Sequence, residues 1–346
     1  EVYAEQAVWI HENPVEEVPL QAIRIGDLGI TAIPCEVYAL TGLKLKSASP
    51  LPLTFNISLA NGASGYIPPP EQHALGGYTT WPARTAGLEV NAEPRIVESC
   101  LKLLERVSGQ RQKKYTEPLS SYARAVMTSK PAAFWRLGEQ SGPTAVDASG
   151  NDHDARYQPG VTFHLPGYPD PLAREAHTSR AAHFAGGLVV AEVPATEAFT
   201  VEFWLWSGVM KSQQGQDICV ADLGGLNLRI LKVANIQDPV LSIAPGRIGS
   251  AHITPRRWHH VVFVNQSDNY QLWVNGKRHL DERSKEQKRN SLDTMKLFFI
   301  TWLTAEQVDL SKKQSFRHHI CSKTMVVSHS KMIRFRGGHP LCCLWF

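Results

Sequence analysis

The chain of 346 residues is short of the features that would place it quickly. No stretch approaches the ~18 uninterrupted apolar residues of a membrane-spanning helix. Only six cysteines are present, Cys35, Cys100, Cys219, Cys321, Cys342 and Cys343. The first three have no partner at a C-x-x-C spacing, and adjacent Cys342 and Cys343 are poorly placed for a mutual disulfide, so neither a disulfide framework nor a cysteine-based structural zinc is expected. Basic charge is scarce where it would matter. The net charge is +4, but residues 295–346 alone hold eight Lys/Arg against two Asp/Glu. The preceding 294 residues therefore carry a slight acidic excess, and nucleic acid is excluded as an expected partner. There is no P-loop, no G-x-G-x-x-G and no H-E-x-x-H. Gly62-Ala63-Ser64-Gly65 lacks the last glycine of a nucleophile elbow, because Tyr66 stands there.

What is present is an ordinary globular composition, 43% apolar and 20% charged, at a length that suits two domains and a linker. Residues 2–11 read as an amphipathic helix without the basic, apolar and small-residue regions of a leader peptide, so the expectation is a processed chain or a fragment that begins inside a domain. Ala22–Ile25, Gly26-Asp27 and Leu28–Ile33 read as strand, tight turn and strand. Glu36–Lys46 is mildly helical and Leu53–Leu59 is a strand. From Pro94, Ile96, Val97, Cys100, Leu101, Leu104 and Val107 recur at helical spacing. This first block, 1–107, is α+β. Residues 108–131 have linker composition, with a short helix over 120–127. From Ala132 the pattern changes to short strands divided by Gly, Pro and Asp. Within Phe199–Trp206, Phe199, Val201, Phe203 and Leu205 occupy one face and Trp206 the other. Many short strands of this kind predict an all-β sandwich or jelly roll over 132–294. Residues 295–346 form an anomalous basic tail. The expectation is that the reading frame changed near residue 295, which would leave the strand around Trp135 without its partner.

Several motifs of the second block occur in a fixed order: Phe134-Trp135-Arg136-Leu137-Gly138-Glu139, Asp147-Ala148-Ser149-Gly150-Asn151, Phe199-Thr200-Val201-Glu202-Phe203-Trp204, Trp258-His259-His260-Val261-Val262 and Leu272-Trp273-Val274-Asn275-Gly276-Lys277. Together they resemble the laminin G-like, concanavalin A-like jelly roll. Asn275-Gly276 suits a tight hairpin turn. The resemblance implies a glycan or another cell-surface ligand as partner, with Trp206 as the side chain to stack on a sugar. It also implies a possible calcium site, for which Asp147 and Asn151 offer oxygens. The Glu-x-Asp-x-x-Glu strand of the related glucanases is absent. His259 and His260 point to opposite faces of a strand, so they are read as structural rather than as a metal pair. The sequons at Asn56 and Asn265 fall in or near strands and are read as chance.

The first block has its own resemblance. Ile25-Gly26-Asp27-Leu28-Gly29 through Pro34-Cys35-Glu36, Thr41-Gly42-Leu43-Lys44-Leu45, and Asn61-Gly62-Ala63-Ser64-Gly65-Tyr66 with Pro70-Glu71 are similar to the C-terminal part of a neutral/alkaline ceramidase catalytic domain. In that family a Pro-Gly-Glu segment and a downstream Tyr supply zinc ligands, which map to Glu36 and Tyr66. Cys35 stands where the family has Gly. The family's zinc-binding histidines and nucleophilic Ser lie upstream, so the resemblance implies a zinc site only in a complete parent domain. For this chain it implies no catalytic residue, no tightly bound cofactor and no activity alone. The combined expectation is a fragment of an exported (periplasmic or extracellular) ceramidase-like hydrolase with an appended jelly roll that binds glycan or another surface ligand. The alternative is a non-catalytic carbohydrate- or protein-binding laminin G-like module.

Overall fold

The computed structural model describes residues 1–169, 179–194, 196–208, 217–223, 226–231, 238–244, 247–266, 269–283, 294–300 and 320–328. The chain divides into two units, Glu1–Thr116 and Glu117–Phe346. The division falls inside the stretch expected as linker.

The first unit opens with helix α1 (Val2–Glu12). Strands β1 (Gln21–Ile25) and β2 (Leu28–Ile33) form an antiparallel hairpin, with Ile25 opposite Leu28. Gly26 takes φ +59° in the turn, a conformation glycine adopts without a Cβ penalty. After the two-residue strand β3 (Glu36–Val37), helix α2 (Ala39–Ala48) carries the chain back to β4 (Leu53–Ser58), which pairs in parallel with β2. This is a β–α–β crossover. Strand β5 (Tyr66–Ile67) then pairs in parallel with β3, followed by helices α3 (Pro70–Leu75) and α4 (Ala92–Ser108). Ile96, Cys100, Leu101 and Leu104 of α4 are buried, as their spacing predicts, and α4 ends at Gly109 in a left-handed cap. They pack with Ile33, Cys35, Leu45, Leu51 and Ile67 into one core. Gly29 makes this approach possible, since a Cβ there would lie 2.9 Å from Leu51 Cδ1 and 3.0 Å from Leu104 Cδ2. One carboxylate enters this interior: Glu93, fully buried, accepts from Thr41 Oγ1 at 2.8 Å and pairs with Lys44 Nζ at 3.1 Å.

The second unit starts with helix α5 (Ser121–Thr128), whose first turn is capped by Ser120 Oγ accepting from Ala123 N. The strands that follow are β6 (Ala133–Trp135), β7 (Thr144–Ala145), β8 (Ala155–Tyr157), β9 (Val161–Pro166), β10 (Arg180–Phe184), β11 (Leu188–Pro194), β12 (Ala198–Ser207) and β13 (Asp217–Leu223). They continue with β14 (Asn227–Leu231), β15 (Val240–Ala244), β16 (Arg247–His252), β17 (Trp258–Gln266), β18 (Asn269–Val274), β19 (Lys277–Arg283), β20 (Thr294–Ile300) and β21 (Ile320–Ser328). Among the described residues they make two eight-stranded antiparallel sheets. One runs β19-β18-β17-β12-β21-β10-β9, with β6 also on β21, and the other runs β16-β15-β14-β13-β20-β11-β8-β7. Each sheet turns one apolar face inward, which makes a β-sandwich. Phe199, Val201, Phe203 and Leu205 from the first sheet and Leu223, Leu228, Ile230 and Leu241 from the second are all but inaccessible to solvent. Asn275 and Gly276 both take positive φ in the hairpin between β18 and β19, as a type I′ turn requires.

The expected loss of a partner for the Trp135 strand is corrected here. β21, drawn from the basic tail, runs beside β6 with Met325 opposite Trp135 and Val327 opposite Ala133. Ile320–Ser328 carries enough β-branched residues to serve as a strand, and its dense neighbours hide that pattern in the sequence. The rest of the tail, with Lys312-Lys313, His318-His319, Arg334 and Cys342-Cys343, lies outside the described residues.

Candidate functional site

The alternation of β12 divides its side chains between core and solvent. With Phe199, Val201, Phe203 and Leu205 inward, Glu202, Trp204 and Trp206 stand half-buried on the opposite face. The register with β17 extends that face sideways: Glu202 lies opposite Val262, Trp204 opposite His260 and Trp206 opposite Trp258. One strand further, Val262 lies opposite Trp273, over which the Arg278 guanidinium sits 5.9 Å from the ring centre. The result is a band of four half-buried tryptophans with a polar centre.

That centre is a hydrogen-bonded trio. Glu202 Oε1 accepts from His260 Nε2 at 2.9 Å and from Tyr122 Oη at 3.0 Å. Burial first, and then the Glu202 carboxylate, push the Tyr122 phenol well above its ordinary value, so it stays a donor. Aromatic contacts frame the trio. Tyr168 stacks on Trp204 with ring centres 3.6 Å apart, and His260 lies 4.9 Å from the same indole. His259 turns the other way: it is buried, with Nε2 3.0 Å from Thr254 O and Nδ1 3.1 Å from Asn275 Nδ2. The two histidines therefore face opposite sides of the sheet. The outward placement of Trp206 was legible from the sequence. Glu202, Trp204 and Trp258 could have been added from strand alternation, whereas Tyr122 and Tyr168 carry no local signal.

Asp147 and Asn151 are employed in holding a turn. Asp147 Oδ1 accepts from Phe134 N and Ser149 N at 2.9 Å, and Oδ2 accepts from Ser149 Oγ at 2.8 Å and His153 N at 3.1 Å. Burial alone would push its carboxyl up, but these hydrogen bonds outweigh burial and hold it below the usual carboxylate range. Asn151 Nδ2 donates to the carbonyls of Pro131 and Ala132 at 3.0 Å.

In the first unit the parallel pairing of β3 with β5 sets Glu36 directly opposite Tyr66. Both line a cleft of about 510 Å³ together with Tyr38, Ser58, Tyr78 and Thr79. The neighbouring Glu36 carboxylate, and after it Tyr78, raise the ionisation of the Tyr66 phenol well above the ordinary value. Tyr78 also meets Tyr66 edge to face at 5.5 Å, and Tyr38 Oη lies 2.7 Å from Thr79 Oγ1. Cys35, next to Glu36, is fully buried, and burial lifts its thiol to about 11. Two oxygen donors do not make a zinc centre by themselves, because a hydrolytic zinc takes about three protein ligands. Among the described residues no group of three His, Cys, Asp or Glu is placed to hold a metal ion. No described helix is long and apolar enough to cross a membrane.

No family model and no curated protein matches the chain. Solved structures with partial likeness include receptor-binding domains of botulinum neurotoxin. The mosaic serotype C/D domain, with tetraethylene glycol and sulfate bound, shares 14% identity at a TM-score of 0.41 over 60% of this chain and 49% of that one. The serotype DC binding domain in complex with SialylT aligns at 14% identity and TM-score 0.41, covering 58% and 48%. The same domain bound to rat synaptotagmin II aligns at 14% and 0.38, covering 57% and 48%. The chain thus spans about half the length of these structures. A likeness this loose says nothing about ligand.

Proposed function

We propose that the second unit is a concanavalin A-like carbohydrate-binding module, with its ligand lying on the tryptophan band of the β12–β17 face. One observation carries the reading: strand register sets Trp206 beside Trp258 on the face away from the core, next to the Glu202–His260–Tyr122 trio. Indole faces suit the C–H face of a pyranose, and the trio supplies fixed polar groups that orient hydroxyls. The test is a glycan array on the full chain. Binding should fall tenfold or more for Trp206→Ala and for Trp258→Ala, since tenfold corresponds to about 1.4 kcal/mol and one aromatic contact contributes about that much. An array without binders, or binders indifferent to both changes, would remove the proposal.

A second reading belongs to the first unit. We infer that a longer parent domain uses Glu36 and Tyr66 as two ligands of a hydrolytic zinc, which when bound would activate water. The support is that strand pairing brings into one cleft the two residues that the ceramidase resemblance singles out. Within this chain the Glu36 carboxylate keeps the phenol hydrogen on Tyr66. An exported location belongs to the same proposal.

A further inference from the structure

The three-stranded sheet of the first unit is covered on one side only. Gly29, Thr31 and Ile33 of β2 face α4 and the core. The register places Ile23 opposite Ile30 and Ile30 opposite Phe55 on the other face, with Ile25, Leu28 and Leu53 in the next row. Gln21, Ala32 and Ile57 complete the nine positions of that face, which holds no ionisable side chain. Ile25 is 64% exposed, Leu53 61%, Ile23 51%, Ile57 44% and Phe55 40%. Parallel strand pairs are ordinarily buried on both faces, because a crossover sheet cannot hide its apolar rows with helices on one side alone. An exposed apolar patch of this kind marks an interaction surface.

We propose that this face is the interface of a homodimer, two sheets packed face to face about a two-fold axis. The composition selects the occupant. A face without charge offers nothing to steer a charged partner and is complementary to itself, which is what a two-fold interface demands. The size is at the lower limit: the exposed side chains leave roughly 500 Å² of apolar surface per copy, about 1,000 Å² for a pair, the least a biological interface needs and the scale of a weak dimer. Two such faces can stack at the ~10 Å spacing of packed sheets.

Sedimentation velocity of the full chain from ~1 to ~100 µM tests this, because a dimer population depends on protomer concentration. The expected result is a dimer that becomes monomeric with Phe55→Lys, and a restored dimer when Phe55→Lys is mixed with Phe55→Glu. Circular dichroism checks that each variant is folded. If Phe55→Lys unfolds the unit, Ile25→Lys at the more exposed position takes its place. A chain that stays monomeric at the highest concentration overturns the proposal. A dimer untouched by the lysines also overturns it, since another surface would then hold the copies together. So does protection of this face from amide exchange that appears only when a different polypeptide is added.

Discussion

Replacing Asp147 should reveal how much of the sandwich's stability hangs on one turn. Its carboxylate receives four hydrogens, three of them from backbone amides. A hydrogen bond to a charged acceptor contributes about 1.5–3 kcal/mol, but four bonds to one carboxylate do not add independently. In Asp147→Ala, the Ser149 and His153 amides can turn to water. The Phe134 amide belongs to a residue only 1% exposed. Leaving it unpaired costs about 1–3 kcal/mol by itself. The expected total is about 3 kcal/mol. Asp147→Asn keeps one acceptor oxygen and sets an amide donor against a donor, so about 1–2 kcal/mol is expected. The two changes also differ from wild type in pH dependence. The Asp147 carboxyl is held below its unfolded value, so its contribution is complete above the unfolded value of about 3.9 and is lost as pH falls through the folded one. The Asn variant should lack this acid-side slope. Urea unfolding followed by tryptophan fluorescence is a suitable assay, because Trp135 Nε1 donates to His153 O at 2.7 Å within the same turn. A loss below about 0.5 kcal/mol in Asp147→Ala, the scale of neutral surface changes, would refute the reasoning. So would equal acid slopes in wild type and Asp147→Asn. Because the carboxylate is occupied by the chain itself, added calcium should leave the urea midpoint of wild type unchanged.

Four further outcomes are expected. The purified chain should carry no stoichiometric zinc by elemental analysis, and Glu36→Ala should change nothing in that measurement, since two ligands make neither a closed nor a catalytic site. Cys35 and Cys100 should label with a thiol reagent only on unfolding, as mapped by mass spectrometry, because both are fully buried and their thiols are raised to about 11 and about 12. Leu104→Ala, at a fully buried position of the first core, should cost about 2–5 kcal/mol in the unfolding transition of the first unit. Burial lowers the His164 imidazole below its ordinary value, so its contribution is complete above about pH 6.5 and is lost as the unfolded chain takes up the proton below it. His164→Gln should flatten that part of the stability profile in urea titrations at several pH values.

How much of this was legible follows from how local each signal is. β12 announces itself because four apolar residues alternate with polar or amphipathic ones, and that period also puts Trp206 on the outer face. α4 was readable from its buried i, i+4 and i+8 residues. By contrast β7 and β8 are two and three residues long and have no period to read. β20 and β21 sit among basic residues and were taken for a break in the pattern. The polar trio was beyond reach, since Glu202 meets His260 across 58 positions and Tyr122 across 80. Glu36 and Tyr66 show the limit of the other route. No spacing rule joins them. The ceramidase resemblance singled them out, and the short parallel pairing of β3 with β5 sets them opposite each other.

The place of β21 also governs when the second unit can exist at all. It lies between β12 and β10 in the middle of its sheet and also carries β6. The earliest strand of the unit thus waits for the last described one, with Ala133 paired to Val327. During synthesis β12, β17, β18 and β19 can zip into a sheet of neighbours, while β6, β9 and β10 have no central strand to join. For the time needed to make the remaining residues, at ~5–20 residues per second, the β12 edge stays unpaired and open to pairing with another chain. A stop codon anywhere before residue 320 would make that interval permanent. The sensitivity of this unit to truncation is therefore set by strand order rather than by how many side chains a tail deletion removes.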